Sequence, residues 1–187
     1  RIMGRGRFTN PHIQNLRRTL WDVFLWKIGH YDDIFPKLSP PSDFHYPAAP
    51  KSYVRGHPSA VWIGHSTYLI ELDGLTILTD PVWDSYCSPI PLNSLRRHTE
   101  PPIALADLPP IDIVLISHNH YAHLDAKTVK ALHSFHPQIE WIVPEALSPW
   151  FRRRNILSVR EIGWWKTAEL KKCSITAVPT QHFSGRT

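Results

Sequence analysis

A chain of 187 residues that is 42% hydrophobic and holds 8 Trp has the apolar content of one packed domain rather than of a disordered segment. Its net charge of +5 is mild, and its basic residues form no stripe interleaved with aromatics, so no nucleic-acid partner is expected. The 2 cysteines, Cys87 and Cys173, make no disulfide framework, and no run of about 18 apolar residues exists to span a membrane.

Residues 1–59 read as an N-terminal helix followed by a proline-rich arm. Asn10-Pro11 offers a cap and a first-turn proline, and Ile13, Leu16, Leu20, Val23 and Phe24 recur at three- and four-residue steps up to a stop at Gly29. With Arg17, Arg18 and Lys27 on its other sides, this helix, residues 10–28, is a candidate for peripheral membrane contact. Packing on its own domain is the plainer alternative and the favoured one. No signal peptide is visible, so the expected location is cytoplasmic or peripheral on a membrane surface.

From residue 60 to 187 the texture is that of a mixed α/β domain. Val61-Trp62-Ile63 is a short apolar strand. Residues 68–72 and 75–78 flank Asp73-Gly74, the signature of a two-residue hairpin turn. A second proline-rich connection, residues 84–110, carries Arg96 and Arg97, a pair that either meets a phosphate or is simply solvated. Residues 111–116 form a buried-looking strand. Asp125 can cap the next helix, with Val129, Leu132 and Phe135 as its inner face and Pro137 past its end. Residues 139–143 are a strand and Ser148-Pro149 opens a short helix. That helix ends in Arg152-Arg153-Arg154, a run that the helix dipole alone explains. Residues 158–162 and 174–178 are further strands, and Trp164-Trp165 reads as core or lid packing.

The chemistry is concentrated in Ser117-His118-Asn119-His120-Tyr121-Ala122-His123. Residues two apart on a strand end face the same way, so His118 and His120 can point at one ion. Imidazole suits zinc, and His182, again past a strand end, completes a three-histidine set with one open position. Asp80 and His65 also fall at strand ends, where each is either a second layer of support around the metal or an ordinary turn residue.

Residues 116–125, together with Trp62-Ile63-Gly64-His65-Ser66-Thr67, Leu75 to Pro81, Leu108 to Asp112, Trp164-Trp165 and Gln181 to Thr187, resemble the metallo-β-lactamase superfamily. They are most similar to its N-acylphosphatidylethanolamine-hydrolysing phospholipase D branch. The resemblance implies an αββα sandwich, here incomplete at the C-terminus, and two zinc ions. It implies cleavage of a phosphodiester in a membrane phospholipid to an N-acylethanolamine and phosphatidic acid. It makes His118, His120 and His182 ligands of the first metal and His123 a ligand of the second. The signature aspartate of the second site is Ala122 here, and the family's bridging aspartate and further histidine would lie beyond Thr187. One zinc is therefore expected, with impaired activity in this chain. Two alternatives stand beside that reading. One is a superfamily hydrolase of a soluble substrate, such as a phosphorylated sugar lactone. The other is a truncated, non-catalytic zinc-binding remnant.

Overall fold

The computed structural model describes residues 2–3, 7–8, 19–30, 56–88, 90–91, 96–170, 172–180, 182 and 184. The chain divides into two compact units, Arg1–Tyr46 and Pro47–Thr187. In the first unit, the short strands β1 (Ile2–Met3) and β2 (Arg7–Phe8) pair antiparallel, and helix α1 spans Leu20–Lys27. Thr19 starts this helix. Its Oγ1 accepts from the Asp22 amide at 3.2 Å, while an Asp22 carboxylate oxygen accepts from the Thr19 amide at 2.6 Å. This is a reciprocal cap of the kind that fixes a first turn. The expected start at Asn10-Pro11 lies outside the described residues, as does most of the proline-rich arm.

The second unit is built on a six-stranded sheet in sequence order: β3 (Ser59–Gly64), β4 (Thr67–Leu72), β5 (Leu75–Thr79), β6 (Ile113–Leu115), β7 (Glu140–Pro144) and β8 (Val159–Ile162). The first three strands are antiparallel, and β5 to β8 run parallel. Leu72 pairs with Leu75, so Asp73-Gly74 is a two-residue turn, and both of its residues have positive φ, 50° and 74°. That matches the right-handed twist of the flanking strands. Parallel neighbours need crossovers. Helix α2 (Ala126–Phe135) joins β6 to β7, and α3 (Ser148–Arg152) lies between β7 and β8.

Alternation sorts the strand side chains to two faces. On one face, Ile63, Leu69, Leu78, Val114, Trp141 and Val143 pack with Val129, Leu132 and Phe151 in the main core. On the other, Leu75, Ile113 and Ile142 meet Ala168 and Ile175. Those last two belong to a separate hairpin of β9 (Thr167–Glu169) and β10 (Ser174–Thr176). Helices, sheet and second sheet thus stack as three layers of the expected αββα sandwich.

Four expectations change. Phe135 is 52% exposed rather than on the inner face of α2. It stays near the azimuth of the buried Thr128, seven residues earlier, but it is the last residue of α2 and lies one turn beyond the buried stripe of Thr128, Val129 and Leu132. Trp164 and Trp165 are exposed in the turn before β9, with Trp165 at φ 63°, so they do not pack in the core. β9 is an additional strand, too short and polar for its alternation to be visible. The Arg run at the end of α3 has a packing role as well as a dipole one. Arg154 lies 3.6 Å from the Trp150 ring centroid and donates to the Trp150 carbonyl at 2.8 Å.

Asp125 caps α2 as expected. Its carboxylate accepts from the Lys127 amide at 3.0 Å, from the Thr128 amide at 3.3 Å, and from the Thr128 hydroxyl. It also accepts from the Asp84 amide at 3.3 Å, tying the long loop to the helix. Asp125→Ala is expected to cost about 2 kcal/mol, the upper end for a lost cap. Urea unfolding of the two chains measures it, and a difference below about 0.5 kcal/mol would remove this carboxylate from the folding argument.

Candidate metal centre

The site lies at the carboxyl ends of β5 and β6, where α/β sheets characteristically open toward ligands. β5 ends in Asp80 and β6 runs into Ser117-His118. Asp80 is only 5% exposed and has φ 39°, a left-handed conformation that is strained for a side chain with a Cβ. Its neighbours hold it there. Its amide donates to the Leu115 carbonyl at 2.8 Å, and its own carbonyl accepts from the Thr67 hydroxyl at 2.6 Å.

That backbone pose aims the carboxylate across to β6. One oxygen accepts from the Ser117 amide at 2.7 Å. The other accepts from the Ser117 hydroxyl at 2.6 Å and stands 2.8 Å from His123 Nδ1. The Ser117 hydroxyl is also 2.9 Å from His118 Nδ1. One buried carboxylate therefore touches His123 directly and His118 through a hydroxyl. A carboxylate or hydroxyl on one ring nitrogen fixes the ring plane and leaves the other nitrogen to act.

His118, His120 and His182 converge, with one ring nitrogen from each lying within 4.8 Å of the other two. His118 Nε2 is 2.8 Å from His120 Nδ1, and the His182 ring centroid is 4.6 Å from that of His118 and 5.2 Å from that of His120. Zinc–nitrogen bonds of about 2.0–2.1 Å place tetrahedral donors roughly 3.4 Å apart, so these three are within small adjustments of one ion. An uncharged, all-nitrogen donor set fits a borderline-soft cation such as zinc. His123 stands beside this set, its ring centroid 4.0 Å from that of His118, and its Nε2 faces His65 Nε2 at 3.3 Å. Ala122 occupies the turn just before His123 and brings no donor atom.

Two further contacts are absent from any reading of the motif. Asn119 donates its amide to the Ser184 hydroxyl at 3.3 Å, and that hydroxyl donates to the Asn119 side-chain oxygen at 2.7 Å. This pair fastens the segment bearing His182 to the histidine loop. Its only sequence signal is a polar residue inside each motif. Ser117 is likewise visible only as a hydroxyl beside His118.

Burial pushes the His118 pKa down from 6.5 to about 4, assisted by His123, His120 and His182 and opposed by Asp80. Burial, and then His123, also lower His65. His118 is therefore neutral near pH 7, with a lone pair available. The unfolded chain takes up this proton first as pH falls. The stability that depends on a neutral His118 is thus complete above about 6.5 and lost as pH drops toward about 4. Melting the metal-free protein between pH 7 and pH 4 should show this loss, and His118→Gln should flatten it. Superimposable profiles for the two chains would rule out His118 as the titrating group.

A family profile described as a beta-lactamase superfamily domain matches residues 76–187. Over 136 residues the chain is 38% identical to N-acyl-phosphatidylethanolamine-hydrolyzing phospholipase D 1 of Caenorhabditis elegans, covering 68% of this chain and 38% of that protein. It is 40% identical over 145 residues to an uncharacterized protein of Mycobacterium tuberculosis, covering 75% and 39%. The mitochondrial N-acyl-phosphatidylethanolamine-hydrolyzing phospholipase D of Saccharomyces cerevisiae is 33% identical over 129 residues, covering 67% and 27%. The chain thus spans less than two fifths of the length of these relatives. Among solved structures, the diiron beta-hydroxylase CmlA of Streptomyces venezuelae aligns at 25% identity and TM-score 0.51, covering 68% of this chain and 25% of that one. A metallo hydrolase of Ignicoccus hospitalis, Igni18, aligns at 20% identity and TM-score 0.50, covering 67% and 49%, which speaks to the fold. With the profile covering more than half of its residues, and with His118, His120, His123 and His182 inside it, the chain belongs to the metallo-β-lactamase superfamily and resembles its N-acylphosphatidylethanolamine-hydrolysing phospholipase D branch.

Proposed function

We propose that this chain carries the first metal site of a zinc-dependent hydrolase that cleaves a phosphodiester in N-acylphosphatidylethanolamine-like phospholipids. The observation that supports it best is the three-imidazole cluster, within 4.8 Å, in a chain 38% identical to a phospholipase D of that specificity. In this reading His118, His120 and His182 hold one zinc ion. Bound there, zinc supplies Lewis acidity to the phosphoryl oxygens and lowers the pKa of water.

The remaining work falls to the protein. Asp80 holds His123 by Nδ1, so that the opposite nitrogen faces His65 and the mouth of the site. Ser117 fixes the His118 ring from behind. Asn119 and Ser184 keep His182 at the cluster. Where the family signature has an aspartate, the Ala122 methyl cannot ligate a second ion, and His123 alone is a weak remainder of that site. Ala122 also favours a second reading, a chain that binds one ion without turning over substrate. Elemental analysis should give about one zinc per chain, with weak or no release of N-acylethanolamine from phospholipid, and Ala122→Asp should raise the zinc content. Two zinc ions and full turnover with alanine in place would overturn this account of the site.

Peripheral membrane contact through residues 10–28 belongs to the same proposal. Trp21, Phe24 and Ile28 are 64%, 50% and 60% exposed at helical spacing on and just after α1, and exposed aromatics suit the headgroup region. Among the described residues no helix is long and apolar enough to cross a membrane. Sedimentation with anionic phospholipid vesicles should fall several-fold on Trp21→Ser with Phe24→Ser, and equal sedimentation would end the membrane assignment of this helix.

A further inference from the structure

Arg97 carries a charge that the described protein does not neutralise. Its backbone is fixed, because the Arg97 amide donates to the Ser85 carbonyl at 2.9 Å and Arg96 bridges Tyr86 in antiparallel fashion. The half-buried side chain then runs back toward the end of β3. Nη1 donates a long bond of 3.4 Å to the Val82 carbonyl. Nη2 lies where a side chain at Gly64 would begin, since a Cβ there would stand only 2.6 Å from it. Nε is buried with no hydrogen-bond partner.

Among the described residues, the carboxylates on the strand ends and loops around this segment are engaged elsewhere. Asp80 is taken by Ser117 and His123, Asp84 pairs with Lys127 at 2.6 Å, and Asp125 caps α2. A partly buried guanidinium left without an acid is costly unless an anion completes it. Gly64 directly precedes His65, whose ring reaches His123, so this cation sits one residue from the mouth of the metal site.

We propose that Arg97 is the anion contact of the site, donating to a non-bridging phosphate oxygen of the substrate. The assignment rests on the phosphodiesterase reading above and adds a residue that binds substrate. A planar fork of N–H groups matches a phosphate edge, which a lysine ammonium cannot reproduce. The absence of a Cβ at Gly64 is what lets the fork lie flat against the strand end.

Inorganic phosphate is the first probe, titrated calorimetrically into zinc-loaded protein. Arg97→Gln is expected to weaken phosphate binding about tenfold, the scale of one charge-assisted contact, and Arg97→Lys to weaken it less. Zinc content and melting temperature should stay at wild-type values, which a merely structural arginine would not allow. With a phosphodiester substrate, the loss should appear in KM more than in kcat. Presented as free phosphate or in a phospholipid vesicle, the anion should show the same dependence on Arg97 if the contact is to phosphate alone, and a vesicle-only effect would instead assign Arg97 to the lipid surface. Should the variants fold poorly, phosphate protection of Arg97 against phenylglyoxal in the wild-type chain replaces them, read by mass spectrometry. Unchanged phosphate affinity in Arg97→Gln, or modification equally fast with and without phosphate, overturns the proposal. Phosphate binding that depends on Arg97 in a chain that hydrolyses no phosphodiester would leave the contact standing and remove the proposed function.

Discussion

The Asp80 carboxylate is the hinge of this structure. It joins the end of β5 to the start of the histidine loop through Ser117, and to His123 through a ring nitrogen. Its position costs backbone strain, since φ is positive on a residue with a Cβ. Thr67 from β4 and Leu115 from β6 bond its main chain and hold that conformation in place. The hairpin, the parallel pair and the site are therefore one mechanical unit. A slip of register between β5 and β6 would pull the carboxylate away from Ser117 and His123 and break the support of the histidine loop.

The division of labour between the two faces of the sheet follows from the same arrangement. Helices α2 and α3 bury one face, and the β9–β10 hairpin partly covers the other. The site needs neither face. It uses the ends of the strands, where side chains leave the ladder and can turn toward a common point. Burial there is partial, and it is the largest cause of the lowered His118 pKa, which keeps that ring neutral near pH 7.

Much of this was legible in the sequence because local signals agreed with the global fold. Asp73-Gly74 specified its turn by conformational preference alone, and Asp125 specified its helix start by offering an acceptor to exposed amides. His118, His120 and His182 come together in the structure because strand ends bring them there. The rest depended on contacts that no local pattern encodes. Asn119 with Ser184 spans 65 positions, and Asp80 with Ser117 spans 37. Phe135 is exposed at the last position of α2, past the turns that the helix buries, a boundary that its spacing does not encode. Trp164 and Trp165 stayed in water because a tight turn left them no surface to cover.

The bond between Asn119 and Ser184 also bears on how the chain closes on itself. Three of the converging imidazoles come from two segments separated by some sixty residues, and a bound ion would link them as a cross-link does. Closing a loop of that length costs chain entropy that grows only slowly with its size. Metal binding would therefore add to the stability of the whole β7-to-β10 region rather than to the loop alone, by an amount set by free ion concentration over its dissociation constant. Metal supply would then set the stability of this fold as well as the occupancy of the histidine cluster.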